Sequence, residues 1–121
     1  VRSDNAPKAI GPYSSAMQVG ANMLFVSGQI PVNPQTGDMP SDIKEQAKQS
    51  LTNLKALVEA GGFTMADVVK TTVFITDIND FAAVNEVYAT FFAEPYPTRS
   101  CVAVKELPKA AKVEIECICA K

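Results

Sequence analysis

The chain predicts an α+β fold, a mixed β-sheet with two helices packed on one face, and three observations lead there. Its elements read in the order strand, strand, helix, strand, helix, strand, strand. The stretch Val68 to Thr76 is dense in β-branched residues, which pack well on a pleated surface, and marks a central strand. Two further stretches repeat apolar residues every three or four positions, the period of a helix with one buried side.

Tyr13 to Val19 and Met23 to Val26 read as short strands flanking Gly20-Ala21-Asn22, a hairpin spacing. Ser27 through Gly37 supplies Pro, Asn and Gly in the proportion of a long ordered loop. A helix over about Asp42 to Ala60 follows, with Asp42 and Glu45 in capping-box spacing and Ile43, Ala47, Leu51, Leu54 and Val58 on one side. Gly61-Gly62 stops it. After the central strand a second helix starts near Asn79 or Asp80, with Phe81, Val84, Tyr88, Phe91 and Phe92 as its apolar stripe. Asn85 points close to that stripe and needs partners there, either as a buried structural hydrogen-bonder or as a group facing a pocket. Pro95 and Pro97 close the helical region. Arg99 to Val104 and Lys112 to Cys119 are the last strands, separated by a Leu107-Pro108-Lys109 turn.

Alternation along the last strand puts Val113, Ile115, Cys117 and Cys119 on one face and Lys112, Glu114, Glu116 and Ile118 on the other. With the helices over the apolar side, Glu114 and Glu116 fall on the open face. Arg99 shares a side of its strand with Cys101 and Ala103, but which face that is depends on a register that alternation does not supply. The open face keeps apolar groups in several strands, so an oligomer with sheets meeting face to face is expected.

The 121 residues fit one domain, residues 1–121, and suffice to bury a hydrophobic core without metal or disulfide staples. Hydrophobic residues at 47% and charged residues at 20% are ordinary globular values, with no tract that composition would mark as disordered. No apolar run approaches the roughly 20 residues of a membrane span, and no signal-peptide pattern opens the chain, so a cytoplasmic location is expected. A net charge of −2 with scattered lysines makes nucleic acid a poor default partner. Cys101, Cys117 and Cys119 read as reduced thiols filling space, in preference to metal ligands. Histidine is absent, which removes Ser-His-Asp and Cys-His machinery and the commonest zinc ligand. Chemistry must rest on carboxylates, hydroxyls, backbone groups, arginine and water.

Arg99 is one of two arginines, and the other, Arg2, lies near the amino terminus. A guanidinium is a permanent planar fork that matches a carboxylate or phosphate with two parallel hydrogen bonds, so Arg99 at a strand start is a candidate anion clamp. A structural ion pair with Glu114 or Glu116 is the alternative, and the residue type alone leaves both open.

The segments Ile10-Gly11-Pro12-Tyr13-Ser14, Phe25-Val26-Ser27-Gly28-Gln29-Ile30-Pro31, Thr72-Val73-Phe74-Ile75-Thr76-Asp77 and Pro97-Thr98-Arg99-Ser100-Cys101-Val102 occur in this order, followed by Val113-Glu114-Ile115-Glu116. In this combination, spanning essentially the whole chain, the sequence resembles the reactive intermediate deaminase (Rid) family, formerly named for YjgF and the perchloric-acid-soluble ribonuclease. The similarity is greatest to the archetypal RidA subfamily. The resemblance implies a chorismate-mutase-like fold of the bacillus type and a homotrimer whose sheets build a central barrel, with clefts between adjacent subunits. It implies hydrolysis of enamines and imines such as 2-aminoacrylate to 2-oxo acids and ammonia, with no metal or organic cofactor. Such intermediates are released by pyridoxal-phosphate dehydratases, which makes the role protective.

The resemblance also implies roles for individual residues. Arg99 would fix the substrate carboxylate, and Glu114 would position and polarise the attacking water as general base or proton relay. Tyr13, Ser27, Gly28, Asn85 and Cys101 would surround the cleft. Tyr13 would cover the substrate, Gly28 would let its backbone N–H approach, and Cys101 would contribute backbone polar groups, not a nucleophilic thiol. Two other classes of function stay open at this point: a regulatory protein that senses a 2-oxo acid in the same cleft, and a ribonuclease or translation inhibitor, a label attached to some relatives. The acidic charge balance argues against the latter.

Overall fold

A tight hairpin opens the sheet: β1 (Ala16–Val19) pairs antiparallel with β2 (Met23–Gln29) around a turn in which Gly20 takes φ 59°. The computed structural model describes residues 1–121 throughout. The first strand begins three residues later than its sequence pattern suggests, because Tyr13 to Ser15 lack the ladder and Tyr13 sits in the approach to it. Ser27, Gly28 and Gln29, read from their loop-like neighbours as the start of a loop, instead complete β2.

The helix α1 (Ile43–Ala60) starts where Asp42 accepts a hydrogen bond from the Glu45 backbone N–H at 3.1 Å, and it ends at Gly61, whose N–H donates to the Leu57 carbonyl at 3.0 Å. Then follow β3 (Val68–Ile75), α2 (Phe81–Tyr88), β4 (Thr98–Ala103) and β5 (Val113–Ala120). Phe91 and Phe92, assigned by periodicity to the second helix, lie beyond its last turn, although Phe92 is still buried.

The strand order is β1-β2-β5-β3-β4. The last strand enters between β2 and β3, antiparallel to both, while β3 and β4 run parallel with α2 as their crossover. Both helices lie on one face. Leu51, Leu54, Leu57 and Val58 of α1 pack there on Leu24, Val73, Ile75, Val113 and Ile115, all buried. Truncating one of these leucines to alanine costs about 2–5 kcal/mol.

The buried side of α1 also carries a polar stripe at positions 46, 50 and 53. Ser50 donates to the Gln29 carbonyl at 2.6 Å, and Asn53 donates to the carbonyls of Ile30 and Val32 at 3.1 and 2.9 Å. Gln46 accepts from the Lys112 N–H at 2.8 Å, at the entrance to β5. These bonds tie backbone groups at the two strand ends to α1, and they hold the exit of β2 and the start of β5 in place. The opposite face of the sheet has no helix. Met17 (55% exposed), Phe25 (40%) and Val102 (44%) stand on it. No helix is long and apolar enough to cross a membrane.

Candidate active site

Register decides which residues can meet. In the β3–β4 pair Arg99 aligns with Thr71 and Cys101 with Val73, and Thr71 and Val73 are buried beneath the helices. Arg99 therefore projects to the helix side of the edge strand. Its Nη1 donates to Asn85 Oδ1 of α2 at 2.6 Å, and its guanidinium carbon stands 4.9 Å from the Tyr88 ring centre and 5.5 Å from that of Phe81. These three residues occupy positions i, i+4 and i+7 of one helix face. Arg99 forms no ion pair, so the pairing with Glu114 or Glu116 left open by sequence is absent. The single ion pair of the chain joins Lys44 to Glu86 on the outer helical surface. Arg99 is exposed and keeps free donors.

Glu114 faces the other way. It aligns with Phe74 in the β3–β5 pair and alternates with the fully buried Val113 and Ile115, so its carboxylate lies on the face without helices. Between Val26 and Gln29 the β2–β5 register slips by one residue, a bulge that falls at Ser27 and Gly28. The bulge brings Gly28 against Glu114: a Cβ there would lie 2.8 Å from the carboxylate carbon and 2.9 Å from Oε2. Half-burial, and next the like charge of Glu116, push the Glu114 carboxyl above its ordinary range.

Tyr13 and Ser27 join the Gly28 side. The Ser27 hydroxyl donates to the Ser14 carbonyl at 2.7 Å and its N–H to the Ser15 carbonyl at 2.9 Å, tying the approach to β1 onto the end of β2. Tyr13 is exposed and its hydroxyl accepts from the Ile10 N–H at 3.3 Å. Tyr13, Gly28, Ile10, Ile30 and Lys109 line a small cavity of about 40 Å³. Lys109 enters it from the turn before β5, which Lys109 and Ala110 complete in the left-handed region at φ 56° and 57°. A groove of about 740 Å³ on the outer helical surface, around Lys44 and Glu86, contains none of these residues.

The seven residues singled out by sequence thus fall into two groups. Arg99, Asn85 and Cys101 belong to the helix side of β4; Glu114, Gly28, Ser27 and Tyr13 gather around the bulge of β2. Sequence reasoning missed Tyr88 and Phe81 as partners of Arg99, although their helical spacing from Asn85 held the signal. Burial pushes the Cys101 thiol up despite the opposing field of Arg99, which leaves it protonated and poorly nucleophilic. The neighbouring Cys119 thiol, and burial, raise Cys117 as well, and both side chains fill the core. No group of three or more His, Cys, Asp or Glu is arranged to hold a metal ion.

The chain resembles known proteins over its whole length. It is 55% identical over 121 residues to the 2-iminobutanoate/2-iminopropanoate deaminase of Escherichia coli K12, covering 98% of this chain and 94% of that protein. The crystal structure of E. coli TdcF with bound serine superposes with a TM-score of 0.95 at 54% identity, covering 100% of this chain and 97% of that one. The structure of RidA from the Antarctic bacterium Psychrobacter sp. PAMC 21119 gives 0.96 at 45% identity, covering 100% and 98%. The family model described as Endoribonuclease L-PSP matches residues 3–121, and with these relatives it shows that the chain belongs to that family, the one that includes the RidA and YjgF proteins.

Proposed function

We propose that this protein hydrolyses 2-imino acids and their enamine tautomers, 2-aminoacrylate and 2-aminocrotonate among them, to 2-oxo acids and ammonia. The observation that carries this reading is an exposed, pre-oriented guanidinium together with a carboxylate of raised proton affinity in a chain without histidine. The name of the E. coli relative supports the reaction class, and serine in the TdcF crystal supports a small ligand with an α-carboxylate.

The imine carbon is one bond from the substrate carboxylate, so a carboxylate held at Arg99 cannot place that carbon beside Glu114 on the far face of the same sheet. The site is therefore assembled from two copies, Arg99, Asn85 and Cys101 from one and Glu114, Gly28, Ser27 and Tyr13 from its neighbour. A homotrimer closed through the apolar open faces satisfies this requirement and covers Met17, Phe25 and Val102.

In this arrangement the donors of Arg99 that Asn85 leaves free hold the substrate carboxylate in parallel hydrogen bonds. An enamine first takes a proton from solvent at its β-carbon and becomes the iminium. Water attacks C2 while Glu114 accepts its proton, giving a carbinolamine. Glu114 returns that proton to nitrogen, and the C2–N bond breaks with its electron pair leaving on ammonia. The O–H pair closes the C2=O bond and the hydroxyl proton departs to Glu114 or solvent. Raised proton affinity suits a group that both takes and returns a proton. Tyr13 covers the substrate, and backbone groups at Gly28 and Cys101 approach the reacting carbon. Water adds and ammonia leaves without any redox change, so side chains and water supply the whole reaction.

The family model's description favours a second reading, an endoribonuclease, against which stands a net charge of −2. Turnover of 2-aminoacrylate generated in situ tests the proposal: the protein should accelerate formation of 2-oxo acid and ammonia and sediment as three chains. Ligand binding without acceleration would indicate a sensor, and salt-sensitive RNA binding with cleavage would indicate the nuclease.

A further inference from the structure

Arg99 needs more than charge to act as a clamp, because an exposed arginine samples many rotamers and a loose fork does not set an angle of attack. Two kinds of contact restrict it. Asn85 lies at its edge and occupies a donor at 2.6 Å, whereas Tyr88 presents its ring 4.9 Å away and uses no donor at all. A ring contact can set the orientation of the guanidinium while leaving its hydrogen bonds for a ligand.

Tyr88 is itself buried and held by two contacts. It is only 6% exposed, its ring packs tilted by 35° against Phe92 with ring centres 4.5 Å apart, and its hydroxyl shares a 2.8 Å hydrogen bond with the Thr71 hydroxyl. Thr71 is fully buried on the helix side of β3, among Val68, Val73 and Ile75. Valine has the same shape, so what the Thr71 hydroxyl adds at this position is its hydrogen bond to Tyr88 and not volume. Thr71 is also the residue aligned with Arg99 across the parallel β3–β4 pair. The same residue that faces Arg99 along the backbone therefore holds the ring beside its side chain, which closes a loop from strand to ring to guanidinium.

We propose that Tyr88 is a positioning residue for Arg99, its ring serving as the platform for the guanidinium and its bond to Thr71 fixing that platform to the central strand. The inference rests on the reading of Arg99 as a carboxylate clamp. Burial raises the Tyr88 phenol above its ordinary range, so the platform stays neutral at physiological pH.

Four variants test it: Tyr88→Phe, Thr71→Val, the double variant, and Tyr88→Leu. Each is measured for thermal midpoint, kcat and KM with 2-aminoacrylate, affinity for 2-oxobutanoate, and the ring-current shift of the Arg99 side chain by NMR. The double variant removes both hydroxyls together, so it should keep a near-wild-type midpoint while kcat/KM and 2-oxobutanoate affinity each fall about threefold. Tyr88→Leu should reduce the ring-current shift to the part that Phe81 supplies and lower 2-oxobutanoate affinity about tenfold. Unchanged kcat/KM and affinity in the double and Leu variants, with only the midpoint moved, would overturn the proposal and leave Tyr88 as core filling. A wild-type protein that binds 2-oxobutanoate through this platform without turning over imine would overturn the deaminase reading alone. Failure to do either would overturn both.

Discussion

Gly28 and Glu114 touch across the bulge that joins β2 to β5, with room for a carboxylate only because residue 28 has no Cβ. Gly28→Ala should displace the far end of the Glu114 side chain while sparing the backbone, since the clashing atoms are Cδ, Oε2 and Cγ. Turnover is expected to fall about tenfold or more, with a nearly unchanged thermal midpoint. Steady-state rates and calorimetry on the same preparation check it.

Glu114 should also set the acid limb of the pH profile. Its carboxyl is raised by burial and by Glu116, so imine hydrolysis should lose its base at a pH above the ordinary glutamate value of about 4.3. Glu114→Gln should remove that limb along with most turnover, while 2-oxo acid binding persists. Stability follows the same linkage: a folded carboxyl of raised proton affinity contributes below its unfolded pKa, and that contribution is lost as pH rises through the folded one. The Gln variant should therefore gain thermal midpoint relative to wild type toward neutral pH and lose that advantage below about pH 4.

Arg99→Lys keeps the charge and discards the planar fork and the ring contacts. Imine turnover should drop about a hundredfold while folding stays nearly intact, because Arg99 is exposed and makes no ion pair. A loss of stability with turnover retained would assign Arg99 a structural role instead.

Asn53 is fully buried and donates to two carbonyls in the segment that follows β2. Asn53→Ala leaves the Val32 carbonyl unpaired and the Ile30 carbonyl with only the Val32 N–H, and it should destabilise the fold by about 1–3 kcal/mol, measurable by urea denaturation.

Much of this architecture is legible in the sequence. The periodicity of α1, the β-branched run of β3 and the alternation of β5 each follow from one residue pattern meeting one packing environment. The exit of β2 is not legible: Ser27-Gly28-Gln29 has loop composition, and it stays in the strand because Gln29 pairs with Ile115 of β5 beyond the bulge and Ser50 of α1 takes the Gln29 carbonyl. The faces of Arg99 and Glu114 are set by strand register, which local pattern does not contain. The partners of Arg99 were visible as Phe81, Asn85 and Tyr88 on one helix face, but Phe81 and Tyr88 there read as core. Only the parallel β3–β4 pairing, a long-range fact, brings the arginine over them.

The central claim, that Arg99 of one copy works with Glu114 of another, is tested most directly by mixing two damaged proteins. Arg99→Lys and Glu114→Gln chains, each nearly inactive alone, are unfolded together and refolded as a mixture, with the separately refolded proteins as controls. Random assembly should create sites with an intact Arg99 from one chain and an intact Glu114 from its neighbour, restoring about a quarter of wild-type turnover. A co-refolded mixture that sediments as three chains yet stays as inactive as its parents would contradict the shared site.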